Sequence, residues 1–364
     1  MRRVTRVLIL TASIGEGHDL PARLLADGLR DEAPNSHPMI EDGLPAMGRA
    51  FVLVNERAPG VVFHHARWVW DAAFWFFVSW MPSRALTKRA VVRLGAGGLL
   101  RVIERTRPDV VVSTYPITTE VLAGLRRRGR LRVPAVAAIT DLAMMQYWAA
   151  RGIDLHLVTH PESIDEVRSV AGAHARVAAV RGLVRPEFEV PRTRNAARSA
   201  LHLPLTAPVV AVSGGGWGVG DIIGSVDAAL SVDGSVVVCL CGRNESLRAR
   251  VTTRYRDVSR VRAIGFTDAM GDWLAAADVL VHSTGGLTVL EAAIRGCPTI
   301  SYGWGRGHIR ANNAAFEKYG LAEVVSDASD LRAAIAKTLR AGRPAPYSIA
   351  ELPSAASLVL SLTS

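Results

Sequence analysis

Cysteine is scarce: the 364-residue chain has three, Cys239, Cys241 and Cys297. At that spacing they build neither a disulfide framework nor a zinc site, and a reducing cytosol suits them best. Acidic residues are also short, 33 Asp and Glu against 43 Lys and Arg, for a net charge of +10. An acidic partner is therefore implied. No window holds the roughly 18 apolar residues of a spanning helix. The nearest, Trp68 to Met81, contains Asp71 and is bounded by Arg67 and Pro82. We expect no secretory leader in these residues, because the run after Arg6 is only Val7 to Leu10 before Thr11 and Ser13 and reads as a first strand. These absences lead us to expect a soluble or peripheral protein, not an integral one. At 49% hydrophobic and 21% charged the chain is neither disordered nor fibrous, and its length suffices for two domains.

What is present is unevenly placed. Residues 51–150 carry 14 Lys and Arg against 6 Asp and Glu, so +8 of the net charge lies there. In the same stretch Trp68, Trp70, Trp75 and Trp80, with Phe74, Phe76 and Phe77, make a segment apolar on every face of a helix. Such a helix is buried or in lipid, and tryptophans beside arginines suit a bilayer interface. The arginines at 126, 127, 128, 130 and 132 form a second cluster. No nucleic-acid module is legible, so lipid is the favoured acidic partner.

Short β-branched runs alternate with helical patterns, as in parallel sheets with crossover helices. The first half offers Val7–Leu10, Val110–Ser113, Ala135–Ile139 and Leu155–Thr159; the second offers Val209–Ser213, Val236–Leu240, Val261–Gly265, Val279–His282 and Thr299–Tyr302. Helical patterns at Leu287–Arg295 and Ala311–Tyr319 lie among the latter. The texture between Phe188 and Pro208 reads as a linker with one short helix. We therefore expect an N-terminal domain at 1–188, a linker at 189–207, a C-terminal domain at 208–342, and a tail at 343–364 able to pack back on the first domain. Two doubly wound domains would face each other across a cleft at the carboxyl ends of their sheets.

Three glycine loops carry the chemistry. Gly15-Glu16-Gly17-His18 follows the first strand and precedes a helix that can begin at Asp19, with Pro21 in its first turn. His18, at a sheet's carboxyl edge, can accept a hydroxyl proton near neutral pH. The loop at 214–220 has five glycines in seven residues, a phosphate cradle without the Lys-Ser/Thr of a Walker loop. In the third, Ser283-Thr284-Gly285-Gly286-Leu287-Thr288 is followed by Glu291 one turn into a helix, where a carboxylate can hold vicinal ribose hydroxyls. Cys239 and Cys241 alternate on a strand and point to one face, which suits buried packing.

These loops, with Cys241-Gly242-Arg243-Asn244, Gly265-Phe266-Thr267-Asp268-Ala269-Met270, Arg295-Gly296-Cys297-Pro298 and Asn312, resemble the monogalactosyldiacylglycerol synthase and processive diacylglycerol glucosyltransferase group. That group is similar to the peptidoglycan N-acetylglucosaminyltransferase. The first half is similar too, in Gly17-His18, Pro108–Ser113 with Tyr115-Pro116, Thr140-Asp141, and Gly182-Leu183-Val184-Arg185-Pro186. The resemblance implies an α/β fold of the GT-B kind, with two Rossmann-like domains. It further implies an inverting transfer of a hexose from a UDP-sugar, which is a substrate and not a cofactor, with no metal.

On that pattern Glu291 holds the ribose and the backbone at Phe266 and Thr267 faces uracil. Gly214, Gly215, Gly216, Gly285, Gly286 and Arg185 surround the pyrophosphate. Gly17, Gly218, Arg243, Ser283 and Thr288 complete the nucleotide side, with His308 and Asn312 at the sugar. His18 and Asp141 form the catalytic set. Trp68, Trp75, Phe76 and Trp80, with Tyr115 and Thr140, face a lipid or apolar acceptor and an anionic membrane. The expected location is the inner face of the cell membrane.

The chain departs from the pattern in having Glu16 and Asp19 around His18, which would raise its basicity, and His308 where relatives typically have glutamine. Other readings of the same features are a soluble transferase for an apolar secondary metabolite, a sugar-nucleotide 2-epimerase, and a non-catalytic membrane-binding relative.

Overall fold

Runs such as Val110-Val111-Val112-Ser113 are apolar without alternation because both faces of their sheet are covered. Every residue of that strand is buried. The computed structural model describes residues 4–13, 16–53, 81–143, 145–283, 285–303 and 308–363, with the backbone alone at 16, 81, 82 and 308. These residues form two compact units, 1–185 with 351–364, and 186–350.

The first unit has a six-stranded parallel sheet ordered β2-β1-β3-β4-β5-β6. Its strands are β1 (Thr5–Thr11), β2 (Ser36–Asp42), β3 (Val110–Ser113), β4 (Ala135–Ile139), β5 (Leu155–Val158) and β6 (Val177–Ala179). Helices α1 (Glu16–Glu32), α2 (Gly43–Met47), α3 (Arg49–Val52), α4 (Met81–Thr106), α5 (Pro116–Arg127), α6 (Met145–Trp148) and α7 (Ile164–Ala171) accompany it. Helix α1 begins three residues earlier than the expected Asp19, so Pro21 lies inside it and not in its first turn. The C-terminal helix Ala355–Leu360 belongs to this unit. It packs on α1, and Arg181 and Ser354 form a parallel bridge beside it. Val7, Ile9, Leu25, Val112, Val136, Leu157 and Val359 share one core.

The second unit repeats the plan in the order β12-β11-β10-β7-β8-β9. Its strands are β7 (Val209–Ser213), β8 (Val236–Leu240), β9 (Val261–Ile264), β10 (Val279–His282), β11 (Thr299–Tyr302) and β12 (Glu323–Val325). Residues 189–207, expected as a linker, are an integral part of this unit. Helix α8 (Arg194–Ala200) carries Arg198, fully buried, which donates to the carbonyls of Pro204, Leu205, Ala207 and Ala276 and to the Asp278 carboxylate. A guanidinium with that many partners fixes the segment. Next come α9 (Ile222–Leu230), α10 (Glu245–Arg254), α11 (Met270–Ala276), α12 (Gly286–Ile294), α13 (His308–Tyr319) and α14 (Ala328–Ala341). The helix Ala355–Leu360 is α15. Among the described residues no helix is long and apolar enough to cross a membrane.

Candidate active site

In the first unit the candidate residues collect at the carboxyl ends of β1, β3 and β4. His18 sits in the first turn of α1, half-buried, with Nδ1 3.0 Å from the Thr114 carbonyl oxygen. A carbonyl only accepts, so in the neutral ring Nδ1 carries the hydrogen and Nε2 is the basic atom. The ring meets Tyr115 edge-on at 4.9 Å and Trp148, tilted, at 5.8 Å between centroids. Burial and the charge of Asp42 push the Tyr115 hydroxyl well above its ordinary range, so it stays neutral.

Asp19 is turned to Thr11, whose hydroxyl donates to it at 2.8 Å. Asp141 is buried and accepts from the Leu142 N–H. Thr140, also buried, donates to the Gly17 carbonyl at 3.0 Å. Arg185 is half-buried and is the last residue before the chain enters the second unit. Trp68, Trp75, Phe76 and Trp80 lie outside the described residues.

In the second unit the 214–220 loop is folded on itself. Gly215 N–H donates to Ser213 Oγ, Gly218 N–H to Gly215 O and Val219 N–H to Gly214 O. The 241–244 turn packs on it: Arg243 N–H donates to Gly216 O at 2.8 Å, and a Cβ on Gly242 would lie 2.5 Å from that oxygen. The helix after this loop is capped from within, because Asp221 accepts the Gly224 N–H. An external anion would compete there with the protein's own carboxylate.

Helix α12 differs. Its N-cap is Gly285, which offers no side-chain acceptor, and Glu291 lies buried one turn in. A nine-residue helix with such an end directs the positive pole of its dipole toward the 283–285 loop.

The ends of the strands are stitched together around α12. His282 Nδ1 lies 3.1 Å from Ser213 O, and Ser283 Oγ donates to Tyr302 O at 2.8 Å. Gly220 has φ +106, and a Cβ there would come within 2.6 Å of the Ser283 side chain, so the two loops touch. Thr288 is half-buried in the first turn of α12. Arg243 stacks over the Phe266 ring at 3.7 Å, and Phe266 is 40% exposed. Thr267 Oγ1 accepts from Ala269 N–H. His308 opens α13; its side chain lies outside the described residues. Asn312, fully buried one turn later, has no hydrogen bond at either amide atom among the described residues.

Sequence reasoning missed the Asp221 cap and the stitching role of His282. The first was legible as an aspartate directly before an apolar helical run. Cys239 and Cys241 are packed in the core as expected, their sulfurs 3.6 Å apart. Among the described residues no three His, Cys, Asp or Glu side chains group to hold a metal ion.

Two Rossmann-like units of this construction are the architecture of the GT-B fold. Residues 68–184 match the monogalactosyldiacylglycerol (MGDG) synthase family, and residues 209–359 the C-terminal domain of glycosyltransferase family 28. The chain therefore has the GT-B fold, and these two domain matches support a sugar-transferring enzyme that resembles an MGDG synthase in its first half and a family 28 glycosyltransferase in its second. A processive diacylglycerol beta-glucosyltransferase of Staphylococcus saprophyticus is 23% identical over 329 residues, 88% of this chain and 81% of that protein. Among solved structures, the glycosyltransferase SnogD from Streptomyces nogalater aligns with a TM-score of 0.57 at 17% identity, over 99% of both chains. Medicago truncatula UGT71G1, complexed with UDP-glucose, aligns at 0.58 and 12% identity, over 99% of this chain and 93% of that one.

Proposed function

We propose that the protein transfers a hexose from a UDP-sugar to the hydroxyl of a lipid such as diacylglycerol, with inversion and without a metal ion. The observation that carries this reading is the glycine-capped start of α12 with Glu291 buried one turn inside. The helix end takes up the charge of the departing diphosphate, and the carboxylate accepts from two ribose hydroxyls. His18 Nε2 removes the acceptor's proton as the acceptor oxygen bonds to the anomeric carbon and the bond to UDP breaks. The name of the staphylococcal relative supports diacylglycerol as the acceptor.

An anionic membrane is the proposed workplace. On the outer face of α4, Leu86 is 63% and Leu94 66% exposed, among exposed Arg89, Arg93 and Arg101. Leucines flanked by arginines suit the headgroup boundary of an anionic bilayer. The inner face of the cell membrane is the proposed location.

Incubation of the purified protein with individual UDP-sugars and diacylglycerol-containing vesicles, followed by mass analysis of the lipids, tests the reading. Hexosyl-diacylglycerol and UDP are the expected products. UDP release without a glycolipid would overturn the acceptor, and no turnover of any UDP-sugar would overturn the donor.

A further inference from the structure

The turn between β3 and α5 buries three hydroxyls that the reaction does not touch. Ser113, Thr118 and Thr119 are all fully buried. Ser113 Oγ and Thr118 Oγ1 each lie 2.8 Å from the Tyr115 carbonyl oxygen, and Thr119 Oγ1 lies 3.0 Å from it. The hydroxyls also meet one another, Ser113 with Thr118 at 2.6 Å and Thr119 with Ser113 at 2.8 Å. Ser113 is the hub, because its oxygen also accepts the Tyr115 N–H at 3.4 Å.

That last contact matters for the site. The Tyr115 N–H and the Thr114 C=O belong to one peptide plane, and in a trans peptide they point in opposite directions. Among the described residues no peptide bond is cis. Gripping the N–H on one side therefore aims the C=O out of the other, where His18 Nδ1 meets it at 3.0 Å. The plane is held from its other neighbour as well, since Thr114 N–H donates to Leu10 O at 3.0 Å.

We propose that Ser113 is a positioning residue for His18: its hydroxyl orients the Thr114–Tyr115 peptide, whose carbonyl holds the imidazole in the Nδ1–H form with Nε2 as the proton acceptor. Thr118 and Thr119 hold Ser113 in that duty. A backbone carbonyl does here what a carboxylate could do, but without a charge, so the side chains that aim it are part of the site. The inference rests on the reading of His18 as the base.

The test uses protein labelled with ¹⁵N-histidine, the His18 ring being assigned by its loss in His18→Gln. The unmodified protein is expected to show one tautomer, with the proton on Nδ1. Ser113→Ala is expected to give a mixture of tautomers, and to lower kcat about tenfold with the KM for the UDP-sugar unchanged. If Ser113→Ala does not fold, Thr119→Val carries the test. It keeps the shape and loses the hydroxyl, and Thr119→Ser should restore both readouts. An unchanged tautomer in Ser113→Ala, or in Thr119→Val where that variant stands in, would overturn the proposal. So would a rise in KM at constant kcat. Absence of sugar transfer by the unmodified protein would instead sink the function proposed above, and the tautomer measurement would still decide this one.

Discussion

Thr140 gives its hydroxyl to the carbonyl of Gly17 because Pro21 cannot. In a continuous helix that carbonyl accepts the N–H four residues on, and proline at that place has none. The side chain at the end of β4 fills the gap and fastens the first turn of α1, with His18 in it, to the sheet. Thr140→Val should therefore destabilise the first unit by about 0.5–1.5 kcal/mol, the net worth of a hydrogen bond to a carbonyl on an exposed residue. In a Pro21→Ala background the same change should cost much less, since the helix then supplies its own donor. Urea unfolding of the four proteins of this cycle checks it, and equal costs in both backgrounds would refute the pairing.

The two helix starts of the second unit make opposite predictions. Glu291→Ala should weaken UDP binding at least tenfold, since charged hydrogen bonds are worth roughly 1.5–3 kcal/mol each. Asp221→Ala should cost about 1 kcal/mol of stability as a lost cap while leaving the UDP dissociation constant alone. Calorimetry with UDP on both variants separates them.

His18→Ala should lower turnover about a hundredfold or more with little change in UDP affinity. Steady-state rates with calorimetry decide this; lost affinity at preserved turnover would make His18 a phosphate ligand.

Two of the buried histidines, His156 in the first unit and His282 in the second, set an acid limit. Burial pushes His156 and His282 from 6.5 down to about 4. The unfolded chain then binds more protons than the folded one between those values. Stability is full above pH 6.5 and falls as the pH drops toward 4, by up to about 1.4 kcal/mol per pH unit for each histidine. His156→Gln should flatten this slope for the first unit and leave the second unit's transition as it was. Thermal unfolding at a series of pH values reads both.

Binding to anionic vesicles should weaken as salt rises, because surface attraction is screened beyond about 8 Å at physiological ionic strength. Leu86→Ser with Leu94→Ser should weaken it further at no cost in melting temperature, both side chains being exposed. Vesicle sedimentation at two salt concentrations is the measurement.

Nine of the twelve strands among the described residues announce themselves as apolar runs, and the three that do not are β2, β6 and β12, each at a sheet edge. Edge strands are only partly covered, so theirs need not be apolar: Ser36–Asp42 contains Pro38 and is mostly half-buried, and the other two have three residues each. At the site, residue types and glycine spacing located His18, Glu291 and the loops. They could not show that a peptide carbonyl holds His18, since backbone groups leave no mark in a sequence. Nor could they tell which glycine loop precedes a helix capped by its own side chain, which turned on Asp221.

The return of residues 351–364 to the first unit dictates an order of events during synthesis. Ala355, Ala356 and Val359 complete the core that Val7 and Ile9 begin, yet the whole second unit is translated in between. Residues 186–350 are contiguous and can fold as soon as they leave the ribosome. The domain translated first must wait for the last helix to close its core. A chain released after residue 350 would therefore carry a complete second unit and a first unit without that helix, with the apolar flank of α1 still uncovered.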